Sequence, residues 1–232
     1  MTQAKSPKKE NILVNILINI LIPTVILTKF SGPEDLGTQW AIVIALSFPL
    51  IYGLNDFVRT RKFNIISAIG VVSIMLTGGM TLLKLPPEYI AIKEAAIPGL
   101  LAIITLISLK TRYPLVKTFL YNENIMQTEK VSCALKDYNN EQQFERVLIN
   151  ASYLLSLSFI VSSILNYILA KVILVSPPGT EAFNAELGKM NALSFPVIAV
   201  PAMIISVFAL FYLFRQIKNL THLELEDILI QH

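Results

Sequence analysis

Six long apolar stretches, each bounded by charged or turn-forming residues, leave this chain few ways to fold. A bilayer core about 30 Å thick is crossed by roughly 20 helical residues at 1.5 Å rise. Stretches of that length run from Asn11 to Lys29, Thr38 to Val58, Phe63 to Leu83, Tyr89 to Leu109, Leu148 to Val175 and Leu193 to Phe214. A helix satisfies its own backbone hydrogen bonds without water. The pattern therefore predicts an all-α, polytopic transmembrane helical bundle of six spans. Only 15% of the residues are charged, against roughly 25% in soluble domains, and the charges sit between the apolar runs.

The basic residues predict an orientation. With the N-terminus in the cytoplasm, 14 Lys and Arg fall on the inside and 4 on the outside, and Lys93 lies within the fourth span. Cytoplasmic loops carry the excess of Lys and Arg, so both termini are expected in the cytoplasm. The layout that follows has a tail over 1–10, a four-helix transmembrane region over 11–110, and a cytoplasmic amphipathic segment over 111–147. A two-helix hairpin over 148–214 carries an outer loop at 176–192, and a cytoplasmic tail covers 215–232. The first apolar run lacks a clear small-residue cleavage site, so a retained helix is expected rather than a signal peptide. In the 111–147 segment Val131, Leu135, Phe144 and Val147 alternate with polar residues, as in interfacial amphipathic helices or a partner-docking surface.

Composition also narrows the chemistry. The net charge of +3 is small, and the basic residues flank spans rather than forming one stripe, so no nucleic-acid partner is expected. The single cysteine, Cys133, allows no internal disulfide and reads as an ordinary small residue. His222 and His232 are the only histidines, and both lie in the tail, so neither a metal site nor another cofactor is expected. No Gly-rich phosphate loop, His-Glu metal motif or nucleophile with a recognisable base is present, and the expectation is a non-enzymatic protein.

Polar residues inside the spans are the candidate functional positions. Asn11, Asn15 and Asn19 recur at a spacing of four, on one face of the first helix, which should meet other helices rather than lipid. Asp56 closes span two and can pair with Arg59 at the interface. Lys93 and Glu94 lie about one turn inside span four. Intramembrane charge costs roughly 2.5–3.5 kcal/mol on insertion scales, so these two are the strongest functional candidates, weighed against a structural role. Span three carries Ser67, Gly70, Ser73, Thr77, Gly78 and Gly79, and span five Ser152, Ser156, Ser163 and Asn166. Both sets read first as helix packing. Prolines 23, 49, 98, 196 and 201 interrupt four spans, as they do in many membrane helices. The run Ala45-Leu46-Ser47-Phe48-Pro49-Leu50-Ile51 nearly repeats as Ala192-Leu193-Ser194-Phe195-Pro196-Val197-Ile198, but the two prolines fall at different depths in their spans.

From about Ala41 to Leu120 the chain resembles the intracellular septation protein A family of small bacterial inner-membrane proteins. Arg59-Thr60-Arg61-Lys62 matches its basic turn after span two, and Gly78-Gly79-Met80-Thr81-Leu82 its glycine-pair motif. Glu88-Tyr89-Ile90 with Lys93 follows at the corresponding spacing, and Pro114-Leu115-Val116 matches the end of the last matched helix. The resemblance covers about a third of the chain, with spans five and six outside it, as in a longer relative. It implies a multi-pass protein of the bacterial cytoplasmic (inner) membrane that supports cell-envelope integrity or septation through contacts with other membrane proteins or with itself, as in a homodimer. A small transporter or lipid-handling protein, dimeric because six spans are few, is the alternative. The sequence identifies no small-molecule or lipid ligand.

Overall fold

A computed structural model describes residues 17–60, 65–111, 115–116, 120–123 and 126–229, with side chains described outside 56–71. All regular structure among these residues is helical, and one isolated antiparallel bridge joins Met126 to Leu229. A π-helical turn, Leu17–Leu21, leads into α1 (Ile22–Lys29). Then come α2 (Gly37–Thr60), α3 (Ile65–Leu82), α4 (Pro87–Ser108), α5 (Thr128–Asp137) and α6 (Glu141–Ile173). Finally α7 (Glu181–Ser194) passes through a second π-helical turn, Phe195–Ala199, into α8 (Val200–Thr221), and α9 (Leu225–Ile228) ends the described chain.

Four helical stretches are long and apolar enough to cross a membrane: Gly37–Asn55, Pro87–Ser108, Glu141–Ile173 and Glu181–Thr221. Two shorter apolar stretches are also helical, Leu17–Lys29 and Val72–Leu82, the second being the part of α3 whose side chains are described. Large apolar side chains such as Ile51, Met75, Ile92, Phe208 and Phe211 are exposed. That is costly in water and natural in hydrocarbon. With 33 residues, α6 is longer than the roughly 20 that cross a bilayer core, and so is the 41-residue stretch Glu181–Thr221.

Contacts divide the chain into two compact units, Met1–Lys93 with Ile168–Phe195, and Glu94–Tyr167 with Pro196–His232. In the first unit α7 lies along α1. Gly188 permits the approach: a Cβ there would sit 3.0 Å from Thr28 Cγ2 and 3.2 Å from the Thr24 carbonyl oxygen. Asn184, fully buried, donates from Nδ2 to Ser31 Oγ (3.0 Å) and to the Thr38 carbonyl (2.8 Å). These bonds fix α7 against the turn between α1 and α2. Thr180 caps α7 by accepting from the Phe183 amide at 3.2 Å. Glu186 accepts from the Val175 and Ser176 amides, each at 2.9 Å, and from Ser176 Oγ at 2.6 Å, closing the loop after α6. The helix thus starts at Glu181, well before the apolar run at Leu193, because these polar bonds replace hydropathy as the reason to be ordered.

The second unit holds a dense apolar cluster built from residues that sequence places far apart. Val131 and Leu135 of α5, Phe144, Val147 and Leu148 of α6, and Leu213 and Ile217 of α8 pack with Met126 and Ile228. The first turns of α6 therefore belong to this cluster, which accounts for its length beyond a single span. Asn140 donates from Nδ2 to the Leu220 carbonyl at 2.8 Å, tying the α5–α6 turn to the end of α8. His222 ends α8 in the left-handed conformation (φ 57°), its amide bonded to the Lys218 carbonyl. Further along α6, Ser156 and Ser163 donate to the carbonyls of Ala102 (3.3 Å) and Ala95 (2.8 Å) on α4. The pairs are seven residues apart on each helix and run in opposite order, the register of two antiparallel helices. Gly99 makes room, since a Cβ there would lie 3.1 Å from Ser163 Oγ.

Candidate functional site: a buried lysine between two helices

The turn between α3 and α4 determines what Lys93 can reach. The Leu83 and Leu85 amides bond to the Gly79 and Met80 carbonyls, both at 2.9 Å, and Lys84 takes the left-handed conformation (φ 54°) that ends α3. Pro87 then opens α4, where its missing N–H costs nothing. In an antiparallel hairpin turning at 84–85, residue 93 on the way out comes level with residues 73 to 77 on the way in. Lys93 stands about 9 Å along α4 from Pro87.

Its ammonium is buried, with 8% of the residue exposed. Nζ donates to Thr77 Oγ1 at 2.6 Å and Ser73 Oγ at 3.1 Å, and lies 3.4 Å from the Ser73 carbonyl oxygen. The Thr77 hydroxyl donates in turn to the Ser73 carbonyl at 3.0 Å, and Thr81 Oγ1 to the Thr77 carbonyl at 2.7 Å. Positions 73, 77 and 81 form one hydroxyl-bearing ridge on α3, since residues four apart share a face. A charged donor bonded to such acceptors is worth about 1.5–3 kcal/mol, which offsets much of the expense of placing an ammonium in a span. The arrangement holds two helices together and fixes a positive charge between them.

Glu94 follows on α4 and is half-buried. Asn19 is half-buried in the first π-helical turn, whereas Asn15 lies outside the described residues. Asp56 and Arg59 fall within α2, but their side chains lie outside the described residues, as do Arg61, Lys62 and Pro114 entirely. The two adjacent glycines differ in surroundings. A Cβ on Gly78 would meet Leu46 Cδ1 at 2.9 Å, while a Cβ on Gly79 would meet nothing within 4 Å. Glu88 pairs with Lys171 at 3.4 Å, with both side chains substantially exposed, so the pair contributes little. In sequence, Ser73 and Thr77 read as small packing residues. The spacing of four between hydroxyls opposite a span lysine was the available signal for their role. Asn184 and Glu186 carried no such signal, because their partners lie on segments remote in sequence or on an irregular turn.

Fold and site together define an all-helical membrane protein in which a span lysine is held by the hydroxyl ridge of a neighbouring helix. No protein-family model, curated protein or solved structure matches the chain.

Proposed function

We propose that this chain is a non-enzymatic, six-span protein of the bacterial inner membrane, with both termini cytoplasmic, that supports envelope integrity or septation through contacts with other membrane proteins. The observation that carries the reading is the capture of Lys93 by Ser73 and Thr77. The most conspicuous intramembrane charge is used to join helices, as suits a scaffold. The motif resemblance over about 41–120 and the bias of basic residues support family and orientation. Deletion of the gene tests the reading: the strain should lose tolerance to osmotic and detergent stress and regain it with the wild-type chain. A deletion strain that matches its parent under both stresses overturns it. Reporter fusions after Phe214 test the topology, and an exported reporter refutes it.

A small transporter or lipid-handling protein is the second reading. It is favoured by the π-helical turns at Leu17–Leu21 and Phe195–Ala199, the second containing Pro196, because π-turns often mark functional positions in helices. Reconstituted protein that moves no lipid or solute, with behaviour unchanged by Glu94→Gln, removes it.

A further inference from the structure

After α8 the chain turns back on itself at His222, whose left-handed conformation (φ 57°) residues other than glycine seldom adopt. The segment that follows, 224–229, is a single helical turn closed by its own bonds. The Asp227 and Ile228 amides reach the Glu224 carbonyl at 3.0 and 3.2 Å, and the Leu229 amide reaches the Leu225 carbonyl at 3.0 Å. This turn rests on α5 and α8. Its attachment is narrow. Among residues 224–229 Ile228 alone is buried, inside the apolar cluster, whereas Leu225 and Leu229 are exposed. Beside that anchor the Gln127 amide donates to the Ile228 carbonyl at 2.8 Å, and Gln127 Nε2 donates to the Leu229 carbonyl at 3.0 Å, next to the bridge of Met126 with Leu229.

Charge is complementary across the same contact. Lys130 of α5 pairs with Asp227 at 2.7 Å and Lys218 of α8 with Glu224 at 2.6 Å, all four side chains being substantially exposed. Backbone pairing along an extended edge, one side chain in a socket and matched charge are the means by which folded proteins recognise short peptides. The residues of α5, α6 and α8 meanwhile form most of the cluster among themselves. We propose that 224–229 is a releasable strap, and that the socket it fills binds short segments carrying a carboxylate followed by Ile-Leu, of which its own is the resident one. This deepens the proposed scaffold role, by giving the chemistry of a partner segment, and rests on it. A basic segment is the poorer fit, because Lys130 and Lys218 would repel it.

Two measurements on the full chain in nanodiscs test this. In the first, a labelled synthetic peptide of residues 222–232 is titrated onto the wild-type chain and onto the double variant Asp227→Ser, Ile228→Ser, whose resident strap is weakened. The peptide should bind the double variant at least about tenfold more tightly, because a segment tethered in cis competes at high effective concentration. A peptide carrying Ile228→Ser should bind neither chain. Adding Lys130→Glu to the host should weaken binding, and Asp227→Lys in the peptide should restore it. Equal binding to both chains, no binding to a double variant that still melts cooperatively, undiminished binding of the Ile228→Ser peptide, or indifference to the charge reversals overturns the proposal. In the second, hydrogen exchange is followed in the wild-type chain, so it decides the matter if the double variant does not melt cooperatively. The amides of Gln127 and of 227–229 should exchange together, at least about tenfold faster than those of Leu213 and Ile217 in α8, as a locally opening segment does. Exchange of all of them in one common step overturns the proposal. None of these results alters the stress phenotype of the deletion strain, so the strap can fail while the scaffold reading stands.

Discussion

The ammonium nitrogen of Lys93 and the hydroxyl oxygen of Thr77 lie 2.6 Å apart, on two helices joined by a tight turn, with the lysine buried. A charge held this way depends on its acceptors. Thr77→Val keeps the shape and removes one, so it should lower stability in detergent by about 1–3 kcal/mol. Lys93→Met removes the charge along with the need for acceptors and should cost less than Thr77→Val. Thermal unfolding of the two single variants and the double variant checks this. If Lys93→Met proves the more damaging, the ammonium has a role beyond joining α3 and α4.

Glycine tolerance should follow local space rather than sequence context. Gly188→Leu drives a side chain into Thr28, Leu27 and the Thr24 carbonyl, and overpacking of this kind costs about 1–3 kcal/mol. Gly79→Ala meets nothing within 4 Å and should be neutral or stabilising, by up to about 1 kcal/mol. Melting temperatures of the two variants in one detergent distinguish them.

Ser163 and Gly99 should be coupled. Ser163→Ala loses one bond to the Ala95 carbonyl, worth about 0.6 kcal/mol on average in membrane proteins. Gly99→Ala crowds the same hydroxyl oxygen, which lies 3.1 Å from the new Cβ. With the oxygen gone the added methyl has room, so the double variant should be less destabilised than the sum of the singles. Strict additivity in the double-mutant cycle would refute the contact.

Docking of the tail at Lys130 should fail in acid. The hydrogen bond and charge of Lys130 hold the Asp227 carboxyl below the usual carboxylate range. A depressed carboxyl contributes above its unfolded pKa of about 3.9 and loses that contribution as pH falls through the folded value. Hydrogen exchange over 225–229 should therefore be steady from neutral to mildly acidic pH and rise only below the carboxylate range. Asp227→Asn should raise it at neutral pH and flatten the acid response.

Tyr121 gives the opposite flank. Burial raises its phenol to about 12, so the fold favours the protonated form. Stability from this group is complete below the unfolded value of about 10 and declines as pH rises through the folded one. Alkaline unfolding of the second unit should show that decline, and Tyr121→Phe should remove it while losing the bond to Thr128.

How far the sequence reached is clearest at particular residues. Lys93 stood out because a charge within twenty apolar residues is conspicuous, but its acceptors did not, since serine and threonine in a span serve many ends. Ser47 and Ser194 sit in nearly identical heptapeptides and both donate to their own helices, at 2.7 and 2.8 Å. Yet Pro49 lies in continuous α-helix, and Pro196 lies in a π-helical turn. Two strings that differ only at Leu50 and Val197 took two backbone forms, so local sequence alone did not set the helix type.

Apolar runs of this length dictate a helical chain suited to hydrocarbon, because the backbone has no other economical way to satisfy its polar groups there. That α7 begins at Glu181, that Asn184 anchors it to Ser31 and Thr38, and that α5, α6, α8 and α9 share one apolar cluster follows from packing in three dimensions. Hydropathy is a property of consecutive residues. These contacts join residues up to 153 positions apart, and their energies exist only once the helices have met.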